Sequence, residues 1–278
     1  MRPNRPTVLE GRIVTTPIAH CREAGTGPSV LCLHSIGSSS AQWRALMEQL
    51  AGSYRVVAAD LYGEGKSPPC PAGVEFGFEH EMELLAPIVA GLGPVHVVGH
   101  SYGGEVALKL ALTVPRQIAS LVLYEPVPWG LYAEHWPGEP GIQALLSLRA
   151  STCALFDQGR QEQAAEAFID HWSGAGTWAA MPEARRSGAL AGIRNVVHKW
   201  RHGPGLRVSP DELRSIAAPV LVLQGADTAP PVRGLMAHLR EELPAWRFIE
   251  LPGLGHMGPI THPQAVNPPV QAFLDGLT

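Results

Sequence analysis

Val95-His96-Val97-Val98-Gly99-His100-Ser101-Tyr102-Gly103-Gly104 is the stretch on which the fold turns. Three valines in its first four residues read as a buried strand, because β-branched side chains suit a pleated, packed surface. Gly99 to Gly103 then matches G-x-S-x-G. A helical pattern follows, with Val106, Ala107, Leu110 and Ala111 on one face and Pro115 at its end. A strand that turns straight into a helix holds such a serine on a strained corner with its hydroxyl exposed. Gly99 and Gly103 have no Cβ, so strand and helix can approach closely around that corner. The positive end of the helix dipole favours negative charge at the hydroxyl. An ordinary serine in a glycine-rich loop would need neither the valine strand before it nor the apolar helix face after it.

Working outward, apolar strands alternate with amphipathic helices. Ser29 to Leu33 and Arg55 to Asp60 read as strands, with a helix carrying Trp43, Leu46, Met47 and Leu50 between them. Glu79 to Leu92 is helical, and Ile118 to Tyr124 is a strand stopped at Glu125-Pro126. Ala218 to Gly225 and Trp246 to Leu251 are strands around a helix from Val232 to Leu243, and a last helix starts near His262. Val8 to Arg22 reads as an opening antiparallel hairpin. This rhythm predicts an α/β fold with a parallel sheet covered on both faces. It breaks between about Val127 and Val208, where no buried strand is evident. Helical stretches occupy 142–155, 160–172 and 182–200, together with Trp129, Trp136, Trp172, Trp178 and Trp200. The division expected is a core of 1–128 and 209–278 with a helical cap, 129–208, inserted into it. Most of the cap tryptophans should pack its own small core, with one or two left to line a pocket.

Composition narrows the function. A chain of 278 residues, 45% hydrophobic and 17% charged, can bury a large core. A formal net charge of -4 gives no sign of a nucleic-acid partner. Cys21, Cys32, Cys70 and Cys153 are scattered without metal-ligand spacing, which fits free thiols in a reducing compartment. Met1 to Pro6 is not followed by an apolar signal segment, and no apolar run approaches the ~20 residues that span a bilayer. The expectation is a cytoplasmic protein with a small-molecule substrate and no nucleic-acid or membrane partner. The twelve histidines include two pairs with His-x-x-x-His spacing, His96/His100 and His198/His202, but no such pair suggests a metal site, and neither a metal nor a cofactor is expected.

Four separated stretches, in order, resemble the α/β-hydrolase superfamily over nearly the whole chain. Leu33-His34-Ser35-Ile36-Gly37 is similar to its H-G-x-G turn, with Ser35 in place of the first glycine. Asp60-Leu61-Tyr62-Gly63-Glu64-Gly65-Lys66-Ser67 is similar to D-x-x-G-x-G-x-S. Gly99 to Gly103 resembles the nucleophile elbow, and Leu254-Gly255-His256 the G-H segment after the last core strand. The resemblance implies a mostly parallel, twisted sheet of about eight strands flanked by helices, with an inserted helical cap.

It also implies roles. Ser101 would be the nucleophile, since a serine hydroxyl needs an adjacent base, and His256 would be that base. The backbone N–H groups of Ile36 and Tyr102 would form an oxyanion hole. His34 would hydrogen-bond within its turn, and His100 would pack or form a wall. For the acid, the family places an aspartate three residues after the glycine ending its strand. That glycine is Gly225, the third residue on is Thr228, and Asp227 stands one place early. Glu125 occupies a strand end from which some members take their acid. Asp227 is ranked ahead on the order Ser…Asp…His, with Glu125 as the alternative. The reaction expected is hydrolysis of a small, fairly apolar ester or related acyl compound through an acyl-enzyme. Carbon–carbon bond hydrolysis of a vinylogous diketone is the runner-up, favoured if Arg149, Arg185, Arg186, Arg194 or Arg201 lines the pocket to grip a carboxylate. Lactone opening, perhydrolysis and a non-catalytic binding protein on the same fold complete the field.

Overall fold

The computed structural model describes residues 7–9, 12–14, 17–70, 75–201 and 205–277. Thr7–Leu9 (β1) and Arg12–Val14 (β2) pair antiparallel in a small ladder of their own, which is the expected hairpin in shorter form. Among the described residues the main sheet has seven strands, where about eight were expected: Cys21–Ala24 (β3), Ser29–Leu33 (β4), Arg55–Ala59 (β5), Val95–His100 (β6), Ile118–Tyr124 (β7), Val220–Gly225 (β8) and Arg247–Leu251 (β9). Their order is β3-β5-β4-β6-β7-β8-β9. Only β3 runs antiparallel.

β4, β6 and β8 are buried along their whole length, which is why they read as near-continuous apolar runs rather than alternating ones. The period of two still sorts their side chains between the faces. Leu31 and Leu33 join one core, and Val30 and Cys32 the other. The helices α1 (Arg44–Leu50) and α12 (Pro263–Asp275) cover the second face with Leu46, Met47, Leu50, Val266, Val270 and Leu274. The first face is covered by α2 (Phe78–Leu92), α3 (Tyr102–Thr113) and α10 (Pro230–Glu242). A one-residue slip of β4 would exchange these faces, and each misplaced leucine or valine would forfeit about 1.5–3 kcal/mol of burial.

Between β7 and β8 lie α4 (Trp129–His135), α5 (Pro140–Asp157), α6 (Gln161–Ser173), α7 (Thr177–Ala180), α8 (Glu183–Arg201) and α9 (Pro210–Arg214). The three long helices overlap the stretches expected from the sequence. Ala164, Ala165, Phe168, Trp178, Ile193, Val196 and Val197 form a separate apolar centre within this insertion. The chain re-enters the sheet domain through a capping box at α9. There Ser209 Oγ accepts from Glu212 N–H at 3.2 Å, and Glu212 Oε2 accepts from Ser209 N–H at 2.7 Å. α11 (Gly258–Thr261) precedes α12, whose N-cap is His262. The carboxyl ends of β6, β7 and β8 and the turn after β9 thus meet at one edge of the sheet, where open α/β sheets bind their ligands.

Candidate active site

Ser101 follows β6 directly and starts α3. Its φ of 55° and ψ of -118° lie in a region that side-chain-bearing residues rarely adopt. The corner is held from both sides: Ser101 N–H donates to Tyr124 C=O at 3.0 Å, and Gly104 N–H donates to Ser101 C=O at 2.8 Å. Gly103 is obligatory here, because a Cβ on it would lie 2.3 Å from the Leu33 carbonyl oxygen. Ser101 Oγ lies 3.0 Å from His256 Nε2, and His256 Nδ1 lies 2.6 Å from Glu125 Oε2. A carboxylate facing Nδ1 fixes the tautomer: Nδ1–H donates to Glu125, which leaves Nε2 free to accept from the serine. All three side chains are buried.

The carboxylate on His256 is therefore Glu125 and not Asp227, the residue ranked first from the sequence. Asp227 is exposed, and its N–H donates to the Leu254 carbonyl at 2.8 Å, which fixes this turn with the aspartate facing outward. Thr228, in the position where the family carries its aspartate, is the residue turned inward. Its hydroxyl donates to Glu125 Oε2 at 2.8 Å, and Gly225 N–H donates to Glu125 Oε1 at 2.8 Å. Glu125 has a positive φ of 42°, the other such non-glycine residue among those described. Two backbone strains, each of order 1–3 kcal/mol, fall on two members of one hydrogen-bonded chain.

A second chain of bonds runs behind the first. Gln42 Oε1 accepts from Ser35 N–H at 3.2 Å and from Ser35 Oγ at 3.1 Å, while Gln42 Nε2 donates to His100 Nδ1 at 3.1 Å. His100 Nε2–H donates to the His256 carbonyl at 2.8 Å. Ser35 thus uses its hydroxyl to tie the turn after β4 to the backbone of His256. Burial holds His100 well below the usual histidine range. Burial likewise lowers His34 to about 4; its Nδ1 bonds Ser35 C=O, and its Nε2 accepts from Leu61 N–H. Both histidines are neutral struts. Ile36 N–H, in the same turn, has no partner among the described residues. Tyr102 is the first residue of α3, so its N–H is one of that helix's unsatisfied donors.

Above Ser101 opens a cavity of about 800 Å³. Val127, Trp129, Leu145, Phe168, Trp172 and Ile260 supply much of its apolar wall. The Trp172 ring lies 4.7 Å from that of His256. Trp129, Trp172 and Trp200 line the cavity, whereas Trp178 packs the insertion's own centre and Trp136 stacks on His238. Of the five arginines singled out, Arg149 and Arg201 reach the cavity, and Arg201 is paired with Asp157. Of the histidines between β7 and β8, His135 is exposed, His171 is half-buried against Trp172, and position 202 lies outside the described residues.

Several polar residues of the site carry no motif. Lys199 of α8 is buried with Glu81 at 2.9 Å and Glu64 at 3.9 Å. Burial alone would lower its pKa, but these carboxylates raise it above the ordinary lysine value. Glu105, in the first turn of α3, lines the cavity and accepts from Leu206 N–H at 2.6 Å. Burial pushes its carboxyl well above the usual range. Nothing in the sequence around Lys199 or Glu105 signals that either is buried. Thr228, standing where an acid was sought, was the one visible signal. Among the described residues no group of three or more His, Cys, Asp or Glu could hold a metal ion, and no helix is long and apolar enough to cross a membrane.

The chain belongs to the alpha/beta hydrolase family, which it matches over residues 30–268. It is a hydrolase by that membership. It is 29% identical over 263 residues to the pimeloyl-[acyl-carrier protein] methyl ester esterase of Aeromonas salmonicida, covering 86% of this chain and 92% of that one. It is 23% identical to the (E)-2-((N-methylformamido)methylene)succinate hydrolase of Acinetobacter baylyi, covering 92% and 94%. Among solved structures, an alpha/beta hydrolase of Sphaerobacter thermophilus superposes with a TM-score of 0.70 at 25% identity, over 92% of this chain and 96% of that one.

Proposed function

We propose that this protein is a serine hydrolase that cleaves a fairly apolar carboxylic ester or related acyl compound through an acyl-enzyme. The observation that carries the reading is the chain Ser101 Oγ–His256–Glu125, at 3.0 and 2.6 Å, on the floor of an apolar cavity. In this mechanism Ser101 attacks the acyl carbon as His256 Nε2 takes its proton. Glu125 holds the imidazole and stabilises the imidazolium without itself taking the proton. The N–H groups of Ile36 and Tyr102 receive the developing oxyanion; donors of this kind are worth roughly 2.7–4 kcal/mol each. His256 then protonates the leaving group, and water activated by the same histidine releases the acid. Helices of residues 129–208 serve as the cap that gives the cavity its apolar wall. The esterase named among the relatives supports ester chemistry.

A second reading adds a carboxylate to the substrate. Arg149 lines the cavity half-buried, and no carboxylate pairs with it among the described residues. Burial lowers its pKa, so an anion brought beside it would be stabilised. This is the feature that the carbon–carbon hydrolase alternative required, and an ester carrying a remote carboxylate would use it equally.

The test is intact-mass analysis after exposure to a fluorophosphonate. The native chain should gain one adduct and Ser101→Ala none. A native chain that stays unlabelled would put the non-catalytic binding protein ahead of this reading.

A further inference from the structure

The cluster beside the cavity, whose wall Lys199 helps to line, joins three parts of the molecule that the proposed reaction needs in register. Glu64 belongs to the turn after β5, Glu81 to α2, and Lys199 to the inserted helix α8. Glu64 Oε1 accepts from Gly37 N–H at 3.2 Å, the amide next to that of Ile36. Glu81 Oε1 accepts from Tyr102 Oη at 3.0 Å, and its Oε2 accepts from Tyr62 N–H at 3.1 Å. Lys199 Nζ donates to Glu81 Oε1 at 2.9 Å, stands 3.9 Å from Glu64 Oε1, and lies 4.5 Å above the Tyr102 ring. Asn195, one turn earlier on α8, donates from Nδ2 to Glu64 Oε1 at 2.7 Å and to Tyr62 C=O at 3.1 Å. Gly63 leaves room for this contact, since a Cβ there would lie 2.2 Å from Asn195 Oδ1.

Side-chain exposures of 3% for Lys199, 4% for Glu64 and 0% for Glu81 set the scale of the interaction. Two carboxylates at that depth without a cation would be severely destabilised. One ammonium therefore holds both, and each carboxylate in turn holds the segment of one oxyanion donor. We propose that Lys199 is a positioning residue: it couples docking of α8 to the alignment of the Ile36 and Tyr102 amides, so that the oxyanion hole is complete only with α8 in place. The proposal rests on the serine-hydrolase reading for its catalytic consequence, but not for the mechanical coupling itself.

The experiment uses the full chain and reads two quantities on the same samples. One is fluorophosphonate inactivation, resolved into kinact and KI. The other is amide hydrogen exchange of the segments 34–39 and 100–104. Lys199→Met keeps the length of the side chain and removes the charge. It should lower kinact about tenfold to a hundredfold with KI unchanged, less than outright loss of a donor would cost, and it should speed exchange in both segments. Lys199→Arg should recover much of kinact, which a role in packing alone would not predict. Arg185→Gln, a change of charge on the exposed side of α8, should match the native protein in both readouts. Native kinact and native exchange in Lys199→Met would overturn the proposal. So would a loss confined to KI, which would make Lys199 a substrate contact. If Lys199→Met does not fold, Asn195→Ala leaves every charge in place and removes the hydrogen bonds to Glu64, Tyr62 C=O and Cys70; faster exchange at 34–39 then supports the coupling, and native exchange overturns it. If the native chain itself does not label, the hydrolase reading has failed, and exchange alone decides the coupling in the same two ways.

Discussion

At the scale of single residues, the acid is where sequence and structure part. Ser101 and His256 were legible because each sits in a short motif whose backbone geometry the sequence encodes. The acid has no motif, only an offset from a strand end. Chain order, the ground for ranking Asp227 first, cannot separate the candidates, since Asp227 and Glu125 both fall between Ser101 and His256. What separates them is which side chain the β8 turn directs inward, and that depends on the Asp227 N–H bond to Leu254, a contact across the fold. The inward hydroxyl of Thr228 then supports the carboxylate of Glu125 instead of supplying one. Glu125→Gln keeps the shape but presents an amide to His256 Nδ1, so the imidazole tautomer is no longer fixed. The rate of adduct formation at Ser101 should fall by about 10³–10⁴, as in other such chains. Asp227→Asn should label within a factor of about two of native, as befits an exposed turn residue. The reverse pattern in a labelling time course would return the role to Asp227.

At the scale of elements, the strand–elbow–helix unit was readable almost in full, since its valines, its glycines and the apolar face of α3 all argue for the same conformation. The struts behind it were not. Gln42 comes from the 3₁₀ turn before α1, Ser35 from the turn after β4, and His100 from the end of β6. Nothing local announces that three such side chains will meet. The elbow also shows why its glycines cannot vary. In Gly103→Ala the new methyl would sit 2.3 Å from the Leu33 carbonyl oxygen and 2.6 Å from that of His34. These are backbone atoms of a fully buried central strand and its turn, so relief requires α3 to move away from β4. That shift would carry the Tyr102 amide with it. The expected outcome is a loss of about 3 kcal/mol or more of stability in urea titration, the range of overpacked core sites at its upper end. Labelling of Ser101 should be lost in whatever fraction remains folded. A variant that melts and labels like the native chain would show that α3 is free to give way.

At the scale of the whole molecule, alternating strands and helices were legible because the central strands are largely apolar and buried. The insertion's helices were legible for the same reason of periodicity. Its seams were not, since they are made by isolated charged residues such as Lys199 and Glu105 whose partners lie far away in the chain. Glu105 marks the second seam, where the chain leaves the insertion: Leu206 N–H donates to its carboxylate, and Gly205 passes so close that a Cβ would lie 2.8 Å from Glu105 Oε2. No lysine, arginine or histidine pairs with Glu105 among the described residues, and Tyr102 is the titratable neighbour. Burial raises its folded pKa well above 4.5. The folded state therefore holds this proton at pH values where the unfolded chain has released it. The associated stability is fully present below about 4.5 and declines as pH rises toward the folded value. Glu105→Gln keeps an acceptor for Leu206 and does not titrate. Its stability relative to the native chain should thus improve steadily from pH 5 to pH 8, measured as the difference in urea midpoint between the two proteins at each pH. A difference that stays constant over that span would mean that Glu105 ionises in the folded protein as readily as in water. The second seam would then be held by a charge that solvent reaches, and the cavity wall beside it would be open where the structure closes it.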